Sequence, residues 1–272
     1  MLLLAFAVLL LMSGCEPGDP PPPPDPIPTG ADPISRATRY LASSNPDDDP
    51  SVSLILDYLR RRYSISGLGG QISHGADLSR DPTNQLFLYG RIFDPAARLE
   101  QFATPANAGI DSAKMSSVAY FPLLALHCDR WPLPSGFDSS LRAEVAKGGY
   151  FTTHAVVARQ WGMEQGCYES SSELTEVLRA GLVENAERHV NGDIFAESLA
   201  MLYYGGFGES VRPEWIETLK RTQRADGSFP FDNTELLPRH STSLALWALC
   251  GAEGIGDPAV TWIPDPGPPA KR

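Results

Sequence analysis

The stretch "RTQRADGSFPFDNTELLPRHSTSLALWALCGA", residues 221–252, decides the fold. An amphipathic helix over 213–224 ends near Gln223, and Asp226-Gly227-Ser228-Phe229 then reads as a turn. Asp side chains bond backbone N–H groups two residues on, and glycine supplies positive φ. His240 follows and opens "HSTSLALWALC", which is apolar on nearly every side. A helix hydrophobic all round must be surrounded by protein. A half-exposed helix is therefore followed by an enclosed one.

The same alternation occurs upstream. An amphipathic helix over 171–189 precedes "IFAESLAMLYY" at 194–204, apolar almost all round. "DIFAESLAMLYYGG" and "HSTSLALWALCGA" share a polar first residue, an apolar body and a small-residue stop. Their separation of roughly forty to fifty residues is the period of stacked helical hairpins. Helical patterns also cover 34–43, 51–63, 82–92, 95–103, 112–130, 139–147, 151–164 and 213–224, with 240–250 last. Residues 64–81 read as irregular, and no period-2 alternation supports a strand. Ser170 and Glu173 read as a capping box, and Pro213 sits where a first-turn proline loses no hydrogen bond. The expected fold is all-α, with outer amphipathic and inner enclosed helices.

Here a family resemblance becomes specific. "WIETLKRTQRADGSFPF…HSTSLALWALCG" resembles a repeat of the terpenoid cyclase and protein prenyltransferase superfamily. Trp215 to Phe229 follows its QW-type motif through Gln223, Asp226, Gly227 and Phe229, with Phe229 where tryptophan is more usual. The resemblance implies an α/α toroid, here a small or open version of about five to six helical hairpins. It also implies a cavity within the inner ring, reached from one end.

Polar groups do gather at the starts of the candidate inner helices. They are Thr152, Thr153 and His154, then His189, Asp193 and Glu197, then His240 and Thr242. If the inner helices are parallel, these groups converge on one rim, where helix N-termini favour anionic or hydrogen-bond-accepting ligands. His154, His189, Asp193, Glu197 and His240 are the candidate catalytic set, because His with carboxylate is the usual acid–base pair. Each also has a structural reading: Asp193 as a helix cap, Glu197 as a backbone or arginine partner, and the histidines as satisfied core residues. An enzyme would bring at least two of these side chains within hydrogen-bonding reach in an open pocket. A scaffold would leave them apart or paired to backbone.

The family's known chemistries find little footing. "NPDDDPSV" at 45–52 is acid-rich like the Asp-x-Asp-Asp of squalene–hopene-type cyclases, but it reads as an exposed turn before helix 51–63. Asp193 and His240 resemble two of the three zinc ligands of protein prenyltransferases, yet Phe195 occupies the cysteine position. No metal and no cofactor are expected. The two-cysteine sets of lanthionine cyclases are not found, and "GMEQGC" at 162–167 has the letters of a thioester motif in the wrong order.

The N-terminus speaks of location. "MLLLAFAVLLLMSGCEPGDPPPPPDPIPTG" holds an apolar run of about a dozen residues, short for a membrane span and right for a signal-peptide core. Met12-Ser13-Gly14-Cys15 resembles the lipobox of bacterial lipoproteins, which implies lipidation of Cys15. The proline tract after it is a stiff tether of about 3 Å per residue. The expected organisation is a signal peptide at 1–14, a tether at 15–33, the toroid domain at 34–253 and a Pro-rich tail at 254–272. Localisation is then the cell envelope, outside the cytoplasm. Cys128 and Cys167 lie at or beyond helix ends and would meet if those helices are parallel, as a disulfide or as two free thiols. Cys250 reads as a small core hydrophobe.

A net charge of −11 argues against nucleic acid as a partner. Arg60-Arg61-Arg62, the densest basic cluster, reads as a solvated helix end. The leading expectation is a lipid-anchored binding or scaffold module. Its inner cavity would hold an apolar or isoprenoid-like ligand, or its rim would meet another envelope protein. The alternative is an enzyme, cyclase-like or a lyase or hydrolase, using the rim cluster.

Overall fold

The computed structural model describes residues 32–264 apart from 98, 191 and 230–237. The signal-peptide, lipidation and most of the tether expectations lie outside these residues, as does the end of the tail. Among the described residues there are eleven α-helices and no strand. They are α1 (Pro33–Ser43), α2 (Val52–Tyr63), α3 (Gly69–Leu78), α4 (Gly90–Phe93), α5 (Ser117–Leu126) and α6 (Phe137–Val145). There follow α7 (Tyr150–Glu164), α8 (Ser172–Arg188), α9 (Asp193–Tyr204), α10 (Pro213–Thr222) and α11 (Pro238–Ala252). None of them is long and apolar enough to cross a membrane.

Five helices stand side by side in the order α5, α7, α9, α11, α2. Bonds between like ends show that they run parallel. At the starts of α5 and α7 the Val118 carbonyl meets His154, and just beyond their ends Cys128 is joined to Cys167. The cysteine Cα atoms are 6.1 Å apart, a separation a disulfide spans without backbone movement. Tyr150 meets Asp193 at the starts of α7 and α9, while Gln160 and Glu164 bond Tyr204 near their ends. His240 of α11 meets the same Asp193, and further along the Tyr204 and Trp247 rings lie 5.3 Å apart. The Arg239 guanidinium bonds the carbonyls of Asn45, Pro46 and Asp49, just ahead of α2. The α6, α8 and α10 helices carry the chain back between these, packed on α7, α9 and α11.

Burial follows the sequence pattern. Along α11 every residue from Ser241 to Cys250 is buried, whereas α10 buries Trp215, Ile216 and Leu219 on one face. Ser171 caps α8 by accepting from the Leu174 N–H, so the cap is one residue later than the expected Ser170. Ser170 bonds Arg159 instead.

The turn after α10 explains its sequence. Asp226 accepts from the Ser228 N–H, Phe229 is buried, and Gly227 has φ of +92°. A Cβ on Gly227 would lie 2.4 Å from the Arg36 carbonyl oxygen, so only glycine fits against α1. Gln223 donates to the Pro33 carbonyl at 2.9 Å and to that of Gly227 at 3.0 Å. It ties the last hairpin to the start of the first.

Four expectations are corrected. Residues 64–81 are not irregular: they hold α3, whose glycines mask its helical pattern. Gly75 is needed there, since a Cβ would fall 1.7 Å from Ser53 Oγ of α2. The stretches 82–92 and 95–103 yield only a 3-10 turn at Gln85–Tyr89, the short α4 and further turns among the described residues. Asp94 and Pro95 break the pattern there, with the Asp94 carboxylate accepting from the Ala96 N–H.

The other two corrections concern the tail. Arg61 and Arg62 are not a merely solvated end, because their guanidinium groups donate to the carbonyls of Val260, Thr261 and Trp262. Those bonds strap the chain across the C-terminal ends of the parallel helices. The Glu164 carboxylate accepts the backbone N–H groups of Trp262 and Ile263 at 3.2 and 3.0 Å. The Trp262 ring lies 5.0–5.7 Å from the rings of Tyr58, Trp161, Tyr204 and Trp247, which come from α2, α7, α9 and α11. The boundary of the folded unit is therefore beyond Ile263.

Trp262→Ala is expected to cost about 3–5 kcal/mol, the range for emptying a buried aromatic site. Urea unfolding followed by circular dichroism measures it. A loss under about 1 kcal/mol would mean that the tail is an accessory strap.

Candidate functional site

Residues four apart share a helix face, and two helices use this spacing against each other. Tyr150 and His154 on α7 face Asp193 and Glu197 on α9, forming two rungs between parallel helices. On the outer rung the Tyr150 hydroxyl donates to Asp193 Oδ2 at 2.8 Å, and His240 Nδ1–H donates to Oδ1 at 3.0 Å. On the inner rung, one turn deeper, His154 Nε2 lies 3.4 Å from Glu197 Oε1. The Asp193 side chain is wholly buried and that of Glu197 is 5 % exposed, whereas His154 and His240 are 33 % and 26 % exposed. The carboxylates thus lie beneath and the imidazoles reach solvent.

The orientation of His154 has a cause in the sequence. Pro122 lies inside α5 and has no N–H to give the carbonyl four residues earlier, that of Val118. His154 Nδ1–H takes this carbonyl at 2.7 Å. With the proton held on Nδ1, the neutral ring turns the lone pair of Nε2 toward Glu197. Glu197 Oε2 is buried and makes no hydrogen bond within the chain.

The three titrating groups are pushed in different directions. For His240 burial disfavours the charged ring, but the charge and hydrogen bond of Asp193 outweigh it and raise the pKa to about 9. Glu197 and Asp49 add to that rise. Burial lowers His154 to about 4, helped by the nearby His240 and opposed by the Val118 carbonyl and Asp193. Burial and the Asp193 charge raise Glu197 to about 7, against the influence of His240 and Thr153. At neutral pH one histidine is an imidazolium and the other a neutral ring, with a carboxyl near its midpoint beside them.

Four of the five sequence candidates are therefore brought together. His189 is not among them. It ends α8, where its N–H bonds the Asn185 carbonyl, and among the described residues nothing joins it to the other four. Thr152, Thr153 and Thr242 turn to local duties, bonding the carbonyls of Val145, Tyr150 and Pro238. Asp193 is the first residue of α9 and does not cap it, since Gly192 precedes it as N-cap and its side chain serves Tyr150 and His240. Tyr150 is the member that sequence reasoning missed, although its place four residues before His154 was the available signal. The acid-rich turn at 45–52 has Asp47 exposed and paired with His74.

Phe195, in the position of a prenyltransferase cysteine, is buried in the core. Among the described residues no group of three or more His, Cys, Asp or Glu side chains is spaced to hold a metal ion. A groove of about 410 Å³ between α6, α7 and α8 and a smaller one of about 230 Å³ beside Tyr63 and Tyr203 are both lined by other residues. The chain matches no protein-family model, no curated protein and no solved structure.

The His240–Asp193 pair sets a stability profile. A histidine raised from 6.5 to about 9 contributes fully below 6.5, and the contribution is lost as pH rises to 9. Urea unfolding across that window should show the wild type losing stability more steeply than His240→Gln. Equal slopes would mean that the pair is not formed.

Proposed function

We propose that this chain is a lipid-anchored cell-envelope enzyme built on a small α/α toroid similar to that of the terpenoid cyclase superfamily. Its work is proton transfer at the rim where the parallel helices begin. The toroid reading is supported by the contact between first and last hairpins, through Gln223 to Pro33 and Arg239 to the residues before α2. The envelope reading rests on the lipobox-like sequence at Cys15 and fits the Cys128–Cys167 disulfide, a bond of oxidising compartments.

The observation that carries the enzymatic reading is the Tyr150–Asp193–His240 chain. A buried carboxylate fixed by a tyrosine holds a partly exposed imidazole by one nitrogen, leaving Nε2 toward solvent. That is how a catalytic histidine is oriented and its charged form stabilised. His240 gives or takes the substrate's proton, Asp193 and Tyr150 position it, and the His154–Glu197 pair sets the charge beside it. Hydrolysis or eliminative cleavage is the reaction class. An apolar ligand within the ring is less favoured, because Trp262 and its aromatic neighbours fill the space between the helices at the far end. A scaffold role would leave the two rungs without a purpose.

The test is turnover of chromogenic esters and glycosides and of polyuronates, with wild type and His240→Gln compared. Activity on one class should fall about 10²–10⁴-fold in the variant, the usual worth of a positioned acid or base. No turnover of any class, or turnover equal in both proteins, would return the rim to a binding role.

A further inference from the structure

We propose that the rim is an oxyanion subsite, in which a carboxylate or phosphate group of the ligand docks against His240 Nε2 and the first turns of α7, α9 and α11. This deepens the reading above and rests on it only in taking the rim as a ligand site.

Three observations carry the inference. Parallel packing puts the starts of α7, α9 and α11, helices of 15, 12 and 15 residues, at one place. Each helix N-terminus acts as roughly half a positive charge, so three together favour an anion strongly. The His240 imidazolium adds a full charge with a directional donor, since Asp193 engages only Nδ1 and the side chain is 26 % exposed. The buried Glu197 Oε2, without a partner in the chain, is a polar atom left for a ligand or its water to satisfy.

The groups around Glu197 decide how such binding depends on pH. Asp193 lies one turn away on the same helix, Tyr150, Thr153 and His154 face it from α7, His240 from α11, and Asp49 acts on His240 from ahead of α2. Of these groups it is Glu197 that changes charge near neutrality, with its pKa raised to about 7 chiefly by burial. As the carboxyl, it leaves the positive rim available. As the carboxylate, it places a second negative charge beside Asp193 and repels the anion. Anion affinity should therefore fall as pH rises through 7, well before His240 loses its own proton near 9.

The experiment titrates the detergent-solubilised full chain with inorganic phosphate and, separately, with acetate, at constant ionic strength. Nitrogen-15 shifts of the His240 ring report binding. A saturable shift is expected with at least one anion, with affinity dropping several-fold between about pH 6 and pH 8. Glu197→Gln should bind equally at both pH values, and His240→Gln should lose binding while keeping its helical circular dichroism. Phosphate alone would point to a phosphoryl ligand and acetate alone to a carboxylate. The proposal is overturned if neither anion shifts His240, or if Glu197→Gln keeps the wild-type pH dependence. Should His240→Gln fail to fold, the Glu197→Gln comparison decides. Anion binding without turnover would sink the enzymatic reading and leave the subsite standing, and turnover without anion binding would do the reverse.

Discussion

Everything at the rim depends on one packing constraint: neighbouring enclosed helices run parallel. Antiparallel neighbours would have put the starts of α7 and α9 at opposite ends, and Tyr150 could never have met Asp193. Parallel neighbours need a returning helix between them, which is why α6, α8 and α10 lie between the enclosed helices in sequence. The outcome is a molecule with two unlike ends. Helix N-termini, two carboxylates and two histidines occupy one end. Carbonyl ends, a ring cluster and a tail held by Arg61, Arg62 and Glu164 occupy the other. Both kinds of end are electrostatically consistent, since acidic groups suit helix starts and arginines suit helix finishes.

A small backbone fact carries the chemistry further. Pro122 removes one N–H from α5, and the carbonyl so released fixes the proton of His154 on Nδ1. Two histidines close together on one rim then differ in kind. The one against the buried Asp193 is held charged, and the one against a carbonyl is held neutral. Environments that drive neighbouring groups apart in pKa mark acid–base sites more often than structural ones. At the far end, Trp262 closes the space that an apolar ligand would otherwise enter.

Much of this was legible in the sequence. Enclosed helices announced themselves by apolar residues on every face, as in "HSTSLALWALC", and the Gln223–Asp226–Gly227 turn was readable from turn chemistry alone. Convergence of His154, Asp193, Glu197 and His240 required only the assumption of parallel packing. Other features were hidden for definable reasons. In α3 the glycines chosen for close approach to Ser53 hide the helical pattern. His189 shares the rim, but it ends a returning helix and so does not face the other four. Tyr150 looked like an aromatic core residue, because its hydroxyl partner lies 43 positions away. The role of Arg61 and Arg62 depends on a tail some 200 residues later in the chain, a separation no local pattern conveys.

The central claim is that the rim holds two histidines in opposite protonation states by fixed, different partners. A nitrogen-15 spectrum of the imidazole rings at neutral pH tests it most directly. The account predicts His154 as a neutral ring with its proton on Nδ1, and His240 with both nitrogens protonated. Two rings that both show the averaged, mainly Nε2-protonated pattern of free histidine would contradict it.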